Sequence, residues 1–406
     1  MKKRIYLDYA ASTPIDKKVL EAMLPYLRKH HGNPSSTHGF GQKAKAAIEE
    51  AREKAAKFLH CSPLEVVFTS GATEANNLAI QGVIQYISNQ TSLLEESPAR
   101  RQDAKPHIVT SQIEHESVLE PCKMLEKEGV AQVTYVPVTK EGFVRVEDVE
   151  KAIQENTVLV SIMYANSEIG TIQPITEIGQ LLRKHNLQDA TYKILFHTDA
   201  VQAANYLDCN VEKLGVDLLT LSAHKVYGPK GIGLLYVREG ASLHALLGGG
   251  GQEGGLRSGT EDVAGIVGFG VALQELQNPR MLVVNIKTRQ LRDTLVKKVL
   301  RRIPESVLTG SQEKRLANNT HFRFHGIEGR DLVLLLDQKG IAVSAGSACS
   351  ETTQEPSHVL LALGLEQEEA LSSVRITIGK YTKLEEIEKV IKVLTLGVAK
   401  LRKGGV

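Results

Sequence analysis

Between residues 60 and 240 the chain alternates short β-branched apolar runs with stretches of helical period. That alternation confines it to folds in which a largely parallel sheet is covered by helices. The runs are Val66-Val67-Phe68-Thr69, His107 to Ser111, Val133 to Val138, Thr157 to Tyr164, Lys193 to His197, Leu218 to Leu221 and Ile232 to Val237. Several are apolar throughout, as strands buried on both faces must be. Helical period is clearest from Gln42 to Leu59, where Ala44, Ala47, Ile48, Ala51, Ala55 and Phe58 share one face and charges hold the other.

The segment Ser88 to Lys105 is polar, contains Pro98 and has no sustained apolar period, which predicts an exposed loop. Beyond about residue 262 the pattern changes to long charged helices, Val284 to Arg302 and Leu384 to Arg402, with two or three short strands between them. This predicts a large α/β domain over residues 16–261 and a smaller α+β domain built from residues 1–15 and 262–406. A length of 406 residues suits such a pair.

Charge and cysteine usage narrow the partners. Lys plus Arg number 49 against 47 Asp plus Glu, a balance that predicts neither a dedicated nucleic-acid binder nor a membrane-surface protein. A small-molecule or protein partner is expected instead. The longest apolar or glycine stretch, Val263 to Leu273, is shorter than the roughly 18 residues a membrane span needs, so it reads as a buried helix. The opening MKKRIYLDYAAS places Asp8 where a signal peptide would have its apolar region, and no export is expected. Cys61, Cys122, Cys209 and Cys349 lie far apart without a CxxC, which indicates neither a disulfide framework nor a zinc site. A reducing cytoplasm fits this pattern, with an organelle matrix as the alternative.

In open parallel sheets ligands bind at the carboxyl ends of the strands, so the residues just after each apolar run carry the chemical information. Five such positions are loaded: Ser70-Gly71-Ala72-Thr73, Glu114-His115, Asn166, Asp199 with Gln202, and Ser222-Ala223-His224-Lys225. Singly, each reads as a helix cap or a turn. Together they describe a cofactor. The small residues at Ser70 to Thr73 join a strand to a helix, where N–H groups and the helix dipole receive a phosphate, yet the segment is neither a Walker A loop nor GxGxxG. Lys225 stands at the mouth of a buried sheet, where desolvation favours the neutral amine that forms Schiff bases. Asp199 offers a carboxylate to a protonated pyridine nitrogen. Lysine, aspartate and a phosphate cup are the equipment expected for pyridoxal phosphate.

Other positions remain open at this level. His115 is a surface or core histidine taken alone, but its strand-end position points to stacking over a cofactor or to proton transfer. His197 reads as structural. Cys349 lies in a run of very small residues that offers little to pack against, and this points to a reactive thiol rather than a buried one. The glycine-rich stretch ending in Arg257 and Thr260 is either a hinge or an anion contact. Arg375, inside an apolar strand pattern, needs a substrate carboxylate or an internal carboxylate.

The motifs YLDYAASTP, GNPSSTH, FTSGATEANN, EHESVLEP, HTDAVQ, SAHKVYGPKGIG, GGGQEGGLRSGT and AGSACS occur in this order along the whole chain. With them the chain resembles the cysteine desulfurases of the NifS/IscS-like branch of the class-V aminotransferases. The resemblance implies a pyridoxal-phosphate enzyme of fold type I, like aspartate aminotransferase, acting as a homodimer on L-cysteine. It also implies L-alanine as product and a persulfide handed to an acceptor protein for iron–sulfur cluster assembly or tRNA thiolation. By matching motif, Lys225 resembles the lysine that binds the cofactor, Asp199 the partner of the ring nitrogen, and His115 the stacking, proton-transferring histidine. Asn166 and Gln202 resemble the contacts on the ring's oxygen side. Thr73, Ser222 and His224 resemble the phosphate contacts, with Thr260 reaching phosphate across the dimer interface. Asn33 and Arg375 resemble the pair that fixes the substrate carboxylate, and Cys349 the nucleophile.

Two departures stand out. Gly254 replaces the arginine of the family's GGGQER-type motif, and Ser88 to Lys105 is longer than the usual connection. The cofactor machinery by itself also suits a selenocysteine lyase or another fold-type-I lyase or aminotransferase, and a non-catalytic sulfur-assembly scaffold would keep the same fold.

Overall fold

The computed structural model describes residues 4–93, 105–188, 193–345 and 355–404. Its strands are β1 (Ile5–Tyr6), β2 (Val66–Thr69), β3 (His107–Ser111), β4 (Gln132–Val136), β5 (Thr157–Ser161), β6 (Leu195–Asp199), β7 (Leu218–Ser222), β8 (Gly233–Val237), β9 (Ser306–Leu308), β10 (Asn319–Phe324), β11 (Ile341–Ala342) and β12 (Ser373–Thr377). Seven of them form one sheet in the order β2-β8-β7-β6-β5-β3-β4. Only β8 in that sheet runs antiparallel to its neighbours. These seven strands are the seven apolar runs read from the sequence, with ends shifted by a few residues.

The period of two along each strand divides the side chains between two layers. Val109, Val160, Phe196, Leu219 and Leu221 enter a core shared with helices Lys17–Arg28, Gly39–Leu59 and Val263–Leu276. Ile108, Leu159, Leu195 and Leu218 enter the opposite core, against helices Ala72–Leu93 and Glu116–Lys127. Each fully buried side chain of this size contributes about 1.5–3 kcal/mol, so both faces favour the parallel arrangement.

The glycines that interrupt Val263 to Leu273 serve helix packing. A Cβ on Gly270 would lie 2.7 Å from Ala51 Cα, so only glycine lets this helix approach Gly39–Leu59 so closely. Ile266, Phe269 and Leu273 consequently belong to the first core, and the chain leaves that core after Leu276 rather than at residue 262. No helix of the described residues is long and apolar enough to cross a membrane.

A separate core joins β1, β10, β11 and β12 to helices Pro279–Arg302, Gly329–Gln338 and Leu384–Arg402. Here β12, β10 and β9 form an antiparallel sheet, and β1 pairs in parallel with β11. Helix Pro279–Arg302 begins ahead of the predicted Val284 because Asn278 caps it and Pro279 sits at its first position. The loop expected from Ser88 begins too early: helix Ala72–Leu93 continues through Ser88. Once nucleated, a helix propagates without an apolar face, and no breaker precedes Pro98. Residues 94–104 of that segment lie outside the described residues.

Candidate active site

The carboxyl ends of β2, β3, β5, β6 and β7 open on a cavity of about 650 Å³. Asp199 closes β6, and its Oδ1 accepts the Val201 amide at 3.0 Å. Its Oδ2 accepts Asn76 Nδ2 at 2.8 Å. Asn76, fully buried, also donates to Ser117 Oγ at 2.8 Å. Ser117 Oγ lies 2.8 Å from His115 Nδ1, and the Ser117 amide donates to the same nitrogen at 3.1 Å. Because Nδ1 accepts that N–H, the neutral ring carries its proton on Nε2. The chain from Asp199 through Asn76 and Ser117 thus fixes both the orientation and the tautomer of His115. Burial lowers the His115 pKa by more than the Asp199 charge raises it.

Glu114, beside His115, is fully buried and accepts Ser111 Oγ at 2.6 Å and the Met163 amide at 3.0 Å. Burial, reinforced by Asp199, pushes its pKa up to about 8. At neutral pH it is therefore mostly protonated and does not compete with Asp199 for a cation.

Burial also pushes His107 down to about 4 and His197 down to about 3. His197 contacts Ser161 Oγ and Thr220 Oγ1 inside the sheet, away from the cavity lining, as its structural reading expects. Unfolded, both histidines take up protons below about pH 6.5, while the folded protein refuses them. Stability falls as pH drops through that window, by about 1.4 kcal/mol per pH unit for each histidine once the unfolded ring is charged. Glu114 opposes this trend, since the folded carboxyl keeps a proton that the unfolded one loses above about 4.5. Two histidines outweigh one carboxyl. The melting temperature is expected to fall between pH 6.5 and 4.5, and a curve that is flat or rises on acidification contradicts this assignment.

Across the cavity, Ser70 to Thr73 form the turn into helix Ala72–Leu93, whose first-turn N–H groups have no partner within the helix. The turn lies directly on β8. A Cβ on Gly233 would meet Gly71 C at 2.5 Å and push the turn out of place. Glu74 stiffens it by accepting the Ser70 amide at 2.7 Å while its other oxygen holds Arg257 Nε at 2.9 Å. The anion that Arg257 meets is thus an internal carboxylate. The rest of its glycine-rich loop is tied down by Glu253, which holds Arg52 Nη2 at 2.7 Å and the Phe68 amide at 2.7 Å.

Lys225 follows β7 in a single 3₁₀ turn. Its Nζ donates to the carbonyls of Ala10 and Ala11 at 2.5 and 2.9 Å. Gln202 Nε2 donates to the Ala10 carbonyl at 3.0 Å. Ser222 Oγ lies 2.9 Å from His224 Nδ1. Burial, with Lys225 and Lys230 adding to it, pushes His224 down to about 4, so this ring is neutral as well. At the far wall Arg375 is 2% exposed; its Nη2 reaches Asp8 Oδ1 at 3.0 Å and its Nη1 the Ser167 carbonyl at 3.3 Å. Its Nε, also buried, has no hydrogen-bond partner among the described residues.

A model of the aminotransferase class-V family matches residues 5–390. The chain belongs to the class-V aminotransferase family. Among its relatives, the cysteine desulfurase IscS of Dictyoglomus turgidum is 47% identical over 99% of this chain and 96% of its own length. The cysteine desulfurase of Rattus norvegicus is 40% identical over 98% of this chain and 83% of its own. Of the solved structures, a NifS-like protein superposes with a TM-score of 0.86 at 37% identity, covering 98% of this chain and 99% of that one. A structure described as SspA in complex with cysteine superposes with a TM-score of 0.78 at 38% identity, covering 93% and 100%.

The predicted residues are not all brought together. Thr73, His115, Asn166, Asp199, Gln202, His224, Lys225 and Arg375 line one cavity, and Ser222 stands behind His224. Asn166 is already engaged, its Oδ1 accepting the Glu168 and Ile169 amides and its Nδ2 donating to the Ile113 carbonyl. Thr260 is exposed and outside the lining, as is Asn33, whose Oδ1 accepts the Ser35 amide at 2.9 Å. Cys349 lies outside the described residues. The other three thiols are pushed up to about 12 by burial, and so are not thiolates at neutral pH. Sequence reasoning missed Asn76, Ser117 and Asp8. Asn76 stood inside the quoted FTSGATEANN motif, but its partners are remote in sequence.

Proposed function

We propose that the protein is a cysteine desulfurase that binds pyridoxal 5′-phosphate, converts L-cysteine to L-alanine and holds the sulfur as a persulfide on Cys349. The observation that carries this reading is the meeting, in one cavity, of Lys225, Asp199 and His115 with a helix N-terminus on one side and the buried Arg375 on the other. The residues fit the cofactor. Asp199 suits a protonated ring nitrogen, while the first-turn N–H groups with Thr73, Ser222 and His224 suit a phosphate. Asn166 and Gln202 stand with Asp199 for the ring. Arg375 Nε is the open buried donor that a substrate carboxylate would fill, with Asn33 assigned to the same carboxylate by motif.

When bound, pyridoxal phosphate supplies an electron sink for the bonds broken at the α and β carbons of the amino acid. The protein's own groups do the rest. Lys225 holds the cofactor through its amine and, when released from it, moves protons at Nζ. His115 presents its Nε2 proton, with the ring held by Ser117. Arg375 orients the substrate through its carboxylate, and the Cys349 thiolate attacks the substrate sulfur. There an S–S bond forms as the substrate's Cβ–Sγ bond breaks, and Cβ takes a proton. Two thiols thereby become one alkyl group and one persulfide, with no external oxidant.

A homodimer gives the exposed Thr260 a role, at the phosphate of the neighbouring subunit. The persulfide passes to an acceptor protein for iron–sulfur cluster assembly or tRNA thiolation. The cysteine pattern supports a cytoplasmic setting. The large domain of residues 16–261, extended by the helix to Leu276, carries the cofactor groups, and the smaller α+β unit carries the Cys349 stretch. The deciding experiment is mass spectrometry after incubation with L-cysteine: the Cys349 peptide should gain one sulfur, removable by reductant. Alanine formed without that gain would refute the reading.

A further inference from the structure

The wall behind Arg375 holds an unusual group of unanswered polar atoms. His321 lies directly across the β10–β12 pair from Arg375 and is fully buried. Its Nε2 stands 3.5 Å from Glu168 Oε1, too far for a normal hydrogen bond. Among the described residues His321 Nδ1 and Nε2, Glu168 Oε1 and Arg375 Nε have no hydrogen-bond partner. Buried polar groups are nearly always paired, so four such atoms in one cluster mark a place whose bonding is completed only when something arrives.

The charges around the ring balance. Glu168 faces it from the turn after β5, Arg375 from β12 and Arg315 from the stretch ahead of β10. Burial raises the Glu168 pKa, but His321, Ser357 and Arg375 together hold it below the ordinary carboxylate range. Burial lowers Arg315 to about 9, with Arg292 adding to it, so Arg315 is still a cation at neutral pH. Burial also lowers His321 and, with Arg315 and Arg375, outweighs the pull of Glu168, so the resting ring is neutral. Asp8 answers Arg375 at 3.0 Å, and Asp293 answers Arg292 at 2.7 Å. Arg375 and Arg315 against Asp8 and Glu168 leave no net charge. A substrate carboxylate at Arg375 adds one negative charge that nothing in this wall offsets, and an uncompensated buried charge is costly.

Resting on the desulfurase reading above, we propose that His321, with Glu168, is a positioning residue for the substrate carboxylate: as that carboxylate meets Arg375, His321 takes up one proton from solvent, and it returns the proton on release. Glu168 lines the cavity and stands between it and the ring, so the proton reaches Nε2 by way of this carboxylate. The charged ring then donates to Glu168 Oε1 in a charge-assisted hydrogen bond, shorter than the resting contact. With its charge matched there, Glu168 no longer competes with the substrate for Arg375. The two events favour each other: carboxylate binding raises the ring's pKa, and a charged ring tightens carboxylate binding. Affinity for the carboxylate is therefore greatest below the free ring's pKa and declines as pH rises through the window up to the bound ring's pKa.

The test uses the holoenzyme, with half-saturation by L-alanine and by isopropylamine read from the cofactor absorbance between about pH 6 and 8.5. Isopropylamine carries the amine and methyl group of alanine but no carboxylate. Both amines stay protonated over this range, so the ratio of the two half-saturations isolates the carboxylate. In the wild type L-alanine should lose about ten-fold of its advantage over isopropylamine as pH rises. In His321→Gln the advantage should change by less than about two-fold. Glu168→Gln removes the charge that the proton would balance, so its ratio should also be flat and, at the alkaline end, at least as large as that of the wild type. A flat wild-type ratio overturns the proposal without any variant, and so does a His321→Gln ratio that falls as the wild type's does. Isopropylamine binding that weakens in His321→Gln as much as L-alanine binding overturns it too, because the damage would then lie in the cofactor groups. If His321→Gln does not fold, the wild type and Glu168→Gln decide. A wild type whose cofactor absorbance ignores L-alanine sinks the desulfurase reading itself, an outcome distinct from a response that lacks only the pH dependence.

Discussion

Lys225→Ala is expected to lower alanine formation from L-cysteine by about a thousand-fold or more, through loss of both a covalent anchor and a proton carrier. The amine stands one turn beyond β7, against the carbonyls of Ala10 and Ala11, so no neighbouring amine takes its place at that strand end. Lys230 also lines the cavity but leaves the chain beyond the Tyr227–Gly228–Pro229 turn. The variant should still bind pyridoxal phosphate, because Asp199 and the turn at Ser70 to Thr73 are untouched. Borohydride reduction followed by peptide mapping checks the assignment. Wild-type protein should yield a cofactor adduct on the Lys225 peptide, and the variant none. An adduct that persists elsewhere with activity intact would move the anchor to another lysine.

Cys349→Ser separates the chemistry of the cofactor from the transfer of sulfur. Alanine formation from L-cysteine should fall roughly a thousand-fold, since an alcohol is neither ionised nor a soft nucleophile near neutral pH. L-Alanine should perturb the cofactor absorbance as it does in the wild type. Cys61, Cys122 and Cys209 cannot substitute, because burial pushes their thiols up to about 12. The measurement is alanine release together with intact mass. Sustained alanine release by this variant would favour a lyase that needs no protein persulfide, such as one acting on selenocysteine.

Much of this was legible in the sequence because it is local. A strand buried on both faces tends to be apolar throughout, as several of the runs are, and the seven runs together announced the seven-stranded sheet. The residues closing those runs had to face the ligand side, so Lys225, Asp199, His115 and Asn166 could be named before their positions were known. The misreading at Ser88 has a physical cause, namely that polarity does not end a helix. Ser88 looked like loop because its segment lacks an apolar face, yet the backbone hydrogen bonds of helix Ala72–Leu93 continue through it.

What the sequence determined by itself, then, is the layer architecture and which polar residues close the strands, because hydrophobic period and strand-end chemistry act over a few residues. The tertiary structure alone decided how those groups are held. Asn76 meets Asp199 across 123 positions of chain, and Ser357 meets Glu168 across 189. Arg257 finds Glu74 where the sequence left hinge and anion contact open, and Asp8 reaches Arg375 from near the other end of the chain. A hydrogen bond between residues so far apart leaves no periodic trace, since its geometry exists only after packing has brought the two strands or helices together.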